Sequence, residues 1–112
     1  MEKFSYQDQF GNRYYDCFFK VGQYSNKNVA IELYGVPAEE PGCAEPIMTI
    51  STNLGKLKNN LVAIKSYSEN KGAFELLKDL KIINRIDNVA YFGLVEIPIC
   101  EIDLIKLKEY SL

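Results

Sequence analysis

Glu39, Glu40 and Glu45 flank a proline-rich stretch, and Glu69 stands just ahead of an amphipathic run. Carboxylates grouped in this way can exchange protons with a substrate or hold a divalent cation through oxygen. Most other chemistry needs side chains that the chain lacks. There is no histidine, which removes the commonest general base, the Ser-His and Cys-His nucleophile pairs and most catalytic zinc sites. Gly11, Gly22, Gly35 and Gly42 are isolated, without the spacing that cradles a phosphate. Cys17, Cys43 and Cys100 are odd in number, widely spaced and without a Cys-x-x-Cys pair, as free thiols of a reducing compartment would be. Cys17 and Cys100 fall in apolar runs, where burial disfavours the thiolate, and Cys43 lies among glutamates that disfavour it too. The expectation is no catalytic residue, no metal and no cofactor. What remains for the glutamates is electrostatic work: an acidic loop that docks against a basic groove on a larger protein. Glu69 has an additional local use as favourable charge near the positive end of a helix.

Lys56, Lys58 and Lys65, with Tyr67, form the second candidate. Lysines interleaved with an aromatic can follow a single strand of nucleic acid by charge and stacking. A net charge of -2 lacks the basic face of a general phosphate-backbone binder, and no RNA-recognition or OB-fold signature accompanies these residues. A solvated turn is the simpler reading.

The elements that must position these groups follow from hydrophobic periodicity. Lys3 to Phe10 alternates, with Phe4, Tyr6 and Phe10 on one face, and Gly11-Asn12 suits a tight hairpin turn. Arg13 to Val21 runs back, with Tyr15, Cys17, Phe19 and Val21 on one face and Tyr14, Asp16, Phe18 and Lys20 on the other. Aromatics on both faces serve either as cross-strand pairs or as a binding surface. Asn28 to Tyr34 reads as a strand, Gly35 to Pro46 as a loop, Ile47 to Asn53 as a strand and Leu54 to Asn60 as a turn. Leu61 to Ile64 is short, apolar and β-branched, as a buried strand would be. From Ala73 the apolar residues fall on one helical stripe, and Ser68, Glu69 and Asn70 can accept from the orphan N–H groups of the first turn. Lys81 to Asn88 reads as irregular, and Val89 to Ile99 as one long strand with Gly93 at a bulge or close contact. Glu101 to Leu112 suggests a short helix capped by Asp103 with Ile105 and Leu107 packing down, or a last strand. The expected fold is α+β in a single domain, residues 1–112. It has one mostly antiparallel sheet of five or six strands, one face covered by the helix of residues 70–81, and the short C-terminal element.

Several segments carry a resemblance. Tyr24-Ser25-Asn26 with Ala30-Ile31-Glu32-Leu33, then Pro46 with Thr49-Ile50-Ser51-Thr52-Asn53-Leu54, Ile64-Lys65-Ser66-Tyr67-Ser68-Glu69-Asn70-Lys71-Gly72 and Phe92-Gly93-Leu94-Val95-Glu96-Ile97-Pro98-Ile99-Cys100 together look like a family of small uncharacterised proteins of phages, plasmids and gut bacteria. The loop holding Glu39, Glu40 and Cys43 is longer than that family's compact turn, and the aromatic N-terminal hairpin is this chain's own. The resemblance implies no activity, only a mobile-element setting in which small acidic proteins block host defence enzymes by binding them. The expected function is therefore a non-enzymatic binding protein that inhibits or modulates a larger host protein, such as a CRISPR effector nuclease. Its contacts would come from Glu39, Glu40, Glu45, Tyr67, Ser68, Glu69 and Asn70. The alternative is a single-stranded nucleic-acid-associated protein using its Lys and Tyr side chains. No apolar run approaches the roughly 20 residues of a membrane span, and Met1 to Tyr6 lacks a signal-peptide core. A cytoplasmic monomer or small homo-oligomer in a bacterial host is the corresponding expectation.

Overall fold

The chain changes sheets at Ile50. Its N–H donates to the carbonyl of Ile31 (2.8 Å), while its own carbonyl accepts from Lys65 (2.7 Å). One residue thus ties together the two layers that its fully buried side chain helps to separate. This is a computed structural model, and it describes residues 1–112 with the exception of the Glu69 side chain. The class is α+β, but the strands form two antiparallel sheets of four, not one sheet of five or six. The first has the order β1 (Phe4–Gln7), β2 (Arg13–Gln23), β3 (Val29–Pro37), β4 (Glu45–Thr49). The second has the order β5 (Ser51–Thr52), β6 (Leu61–Ile64), β8 (Val95–Ile102), β7 (Ile83–Phe92). The expected strand Ile47 to Asn53 is therefore two strands, each hydrogen-bonded into a different sheet.

Between the sheets lies the core, built from Cys17, Phe19, Ile31, Leu33, Val62, Ile64 and Cys100. Two short helices, α1 (Ala73–Asp79) and α2 (Leu104–Glu109), complete it through Ala73, Leu77 and Leu107. A second, smaller cluster of Ala63, Ile97 and Ile99 sits on the opposite face of the second sheet, beneath Leu57, Leu61 and Tyr67.

Local chemistry explains the remaining departures from expectation. β2 bulges at Asp16, whose φ is 50°, so Tyr15 turns outward while Cys17 and Phe19 stay inside. The first hairpin turn is wider than Gly11-Asn12: the Asp8 carboxylate accepts from the N–H groups of Phe10 and Asn12, both at 2.9 Å. Phe10 is consequently left exposed. The main helix is shorter than 70–81. Ser68–Asn70 makes a separate 3₁₀ turn, and Gly72, at φ 106°, starts α1 without a side-chain cap of its own. An acceptor for its first turn comes instead from Ser66, whose Oγ receives the Phe74 N–H (3.2 Å). α1 ends with Lys81 in the left-handed region and Ile82 N–H bonded to the Leu77 carbonyl (2.9 Å), a closure that leaves Ile82 buried.

Lys81 to Asn88 is mostly strand. β7 is an edge with bulges between Ile83 and Arg85 and between Ile86 and Asn88, and these scramble the period of two. Val89 to Ile99 is not one strand, because Gly93 (φ 64°) and Leu94 form a two-residue turn that pairs Phe92 with Val95. Chain reversal places Val89 and Tyr91 opposite Pro98 and Glu96, so the odd-numbered row does not continue on one face. At the C-terminus Asp103 caps α2 through Lys106 N–H (3.0 Å) and Leu107 is buried as expected, but Ile105 is 79% exposed. Residues two apart on a helix point to opposite sides.

Candidate functional site

The three glutamates grouped by the sequence meet in one place. β3 runs on to Pro37, leaving a shorter loop, 38–44, whose entry is fixed by the Ala38 N–H on the Arg13 carbonyl (2.9 Å). Glu39 and Glu40 lie exposed in this loop, and Glu45 is the first residue of β4. All three line an open cleft of about 470 Å³ together with Arg13 and Tyr14 from β2. Gly35 lets β3 approach this corner: a Cβ there would stand 2.7 Å from Cys17 Sγ and 2.9 Å from Ile47 Cδ1. Arg13 is the member that residue type and spacing did not reveal, since strand pairing alone brings it alongside the loop. Tyr14 is held above the ordinary tyrosine pKa by burial first and then by Asp8 and Glu45.

Tyr67, Ser68 and Asn70 lie elsewhere and do not line that cleft. Tyr67 is half-buried against the smaller core, with Lys65 Nζ 5.8 Å from its ring centroid. Ser68 is exposed, at φ 56°, and its carbonyl accepts from Gln9 Nε2 (3.0 Å). Asn70 is only 2% exposed and donates to the Thr49 carbonyl (2.5 Å), so its side chain serves as an internal tie. The Glu69 side chain is outside the described residues.

Lys56 and Lys58 border another cleft, of about 380 Å³, with Arg85, Asp87 and Glu101. Arg85 is bonded to Asp87 (2.8 Å) and Glu101 (3.3 Å), so acid is interspersed with base along it. Lys65 is directed to Tyr67 instead. The three lysines do not form one track.

Two further surfaces are conspicuous. On the outward side of the first sheet, the Phe18 and Tyr34 rings lie parallel (interplanar 11°) with centroids 5.6 Å apart, and Lys20 Nζ is 5.9 Å from the Tyr34 ring. At the tip of the β7–β8 hairpin, Tyr91, Phe92 and Leu94 are all exposed.

Among the described residues no group of three His, Cys, Asp or Glu side chains is placed to hold a metal ion, and no helix is long and apolar enough to cross a membrane. No family model matches the chain, and no curated protein or solved structure matches it.

Cys17 and Cys100 are buried and Cys43 is exposed. Burial, aided at Cys17 by Asp16, pushes both buried thiols up to about 11. Iodoacetamide at pH 8 should therefore modify native protein at Cys43 alone, and all three sites after denaturation, as read by intact mass. Labelling of a second site without denaturant would show that one of the two buried thiols is accessible, and of a third that both are. A thiol raised above its unfolded value of about 8.5 favours the fold fully below that pH and loses the contribution as pH climbs to about 11. Melting temperature should fall across that window, and less steeply in a Cys17→Ala/Cys100→Ala variant.

Proposed function

We propose that this chain is a binding protein that docks on a larger protein and inhibits or modulates it. The supporting observation is the convergence of Glu39, Glu40 and Glu45 on one exposed cleft at the open end of the first sheet. Three carboxylates, two on the exposed loop and one at the start of β4, favour encounter with a positively charged groove and set the orientation of docking. Arg13 in the same cleft adds a hydrogen-bonding fork, so the surface is patterned and not uniformly acidic. With the resemblance to small mobile-element proteins, the reading becomes specific: the partner is a host defence protein with a basic nucleic-acid channel, of which a CRISPR effector is the leading case. The acidic loop would occupy part of that channel.

The test is co-expression of the tagged chain with candidate effectors, followed by kinetics on any complex recovered. Changing Glu39, Glu40 and Glu45 together to Lys should slow association and weaken the complex by about tenfold or more, since like charges would then face each other. The wild-type affinity should fall with added salt. An unchanged affinity in the triple variant would remove this cleft from the interface.

A further inference from the structure

We propose that the outward face of the first sheet seats an arginine- or lysine-bearing segment of the partner, lying across β2, β3 and β4. This rests on the binding reading above and supplies the chemistry of the occupant. Strand register assembles the face: Tyr15 stands opposite Val36, Phe18 opposite Tyr34, and Tyr34 opposite Pro46. β2 and β3 are the inner strands of their sheet, yet Tyr15 is 46% exposed and Phe18, Tyr34 and Val36 are only half-buried. The Phe18 and Tyr34 rings are sheltered by each other.

A row of aromatic rings on a sheet accepts two kinds of ligand, unstacked bases or cations held over the ring faces. Charge decides between them. Strands β2 to β4 and the loop 38–44 carry Asp16, Glu32, Glu39, Glu40 and Glu45 against only Arg13 and Lys20. Such a surround repels phosphate and attracts ammonium or guanidinium. Lys20, with its Nζ 5.9 Å from the Tyr34 centroid, is an ammonium already seated on this surface. The glutamate cleft borders the aromatic face at Pro46, which lines the cleft and stands opposite Tyr34. Arginine suits the surface better than lysine, because its planar head stacks on a ring while its N–H groups reach carboxylates.

The experiment titrates the full chain against a fluorescein-labelled peptide of alternating arginine and glycine, its lysine counterpart, a glutamate counterpart and labelled oligothymidylate, with anisotropy as readout. The arginine peptide should bind more tightly than the lysine one, lose affinity with salt, and leave the glutamate peptide and the oligonucleotide far behind. Tyr15→Ala should weaken it by about threefold to tenfold, whereas Tyr15→Phe, which keeps the ring, should leave it nearly unchanged. Glu32→Lys should weaken it by a similar factor, and circular dichroism of each variant should match the wild type. Arginine-peptide binding that ignores Tyr15→Ala but disappears with the Glu39, Glu40 and Glu45 substitutions would confine the contact to the loop. That would overturn the seat and leave the broader binding reading standing. Preference for oligothymidylate would overturn it in favour of nucleic acid, and absence of peptide binding would overturn it outright.

Discussion

Leu77→Asp should yield a chain with no cooperative thermal transition at pH 7 and a far-ultraviolet spectrum without native β-structure. α1 has only seven residues and would be marginal as an isolated helix. Its position depends on burial: Ala73 and Leu77 are fully enclosed, and Phe74, Leu76 and Leu80 pack around them on the core. Truncation to Leu77→Ala removes contacts and leaves a cavity, which costs about 2–5 kcal/mol, so that variant should still melt cooperatively at a lower temperature. Aspartate adds a buried carboxylate to the same loss. The buried core cluster to which Leu77 belongs is apolar, with Phe19, Ile31, Ile64 and Ile82 among its members. An uncompensated buried ion costs several kcal/mol more, against a total stability of about 5–15 kcal/mol for a domain. A soluble Leu77→Asp protein with a sharp melt would mean that α1 is not seated where the structure has it.

The burial of α1 was legible because it is encoded locally. Apolar residues at 73, 74, 76, 77 and 80 make a stripe whatever else the chain does, and Asp103 before Leu104 signals a helix start in the same way. The division into two sheets was not legible, because no local pattern marks Ile50. The residues from Ile47 to Asn53 alternate as one strand would, and the switch is made by backbone bonds to Ile31 and Lys65. Bulges at Asp16 and in β7 hid outward and edge positions by breaking the period of two.

The candidate surface divides similarly. Glu39, Glu40 and Glu45 are near in sequence and converge, whereas Arg13 joins them only through pairing of β2 with β3. Asn70 illustrates the opposite error of reading a polar side chain as a surface group. Its amide was needed to satisfy the Thr49 carbonyl inside the fold. Polar side chains also join segments far apart in sequence: Tyr24 Oη lies 3.0 Å from Ser51 Oγ, and Asn26 and Asn28 both donate to Asn53. In this chain those polar residues hold elements together.

Asn28 is the hub of that network, and Asn28→Ala should destabilise the protein by about 2–3 kcal/mol, the sum of three lost hydrogen bonds at ordinary net strength. Its side chain is almost fully enclosed. Nδ2 donates to the Gly55 carbonyl (2.6 Å) and to Asn53 Oδ1 (2.8 Å), and Oδ1 accepts from the Leu57 N–H (2.9 Å). One amide thereby pins residues 53–57, and with them Leu57, which covers Ala63, Ile97 and Ile99. Loss of the amide should free this loop before the rest of the fold, so hydrogen exchange at Leu57 should accelerate much more than at Phe19 or Leu33. Asn28→Asp is the sharper variant. It keeps the acceptor for Leu57 but turns a carboxylate towards two oxygen acceptors, which raises its pKa above the unfolded value of about 3.9. A carboxyl raised on folding is tolerated below that pH and becomes destabilising as pH rises through its folded pKa. The melting-temperature gap between wild type and Asn28→Asp should therefore be wide at pH 7 and narrow at pH 4. A gap that does not change with pH would show that residue 28 is solvated and that the loop is held by something else.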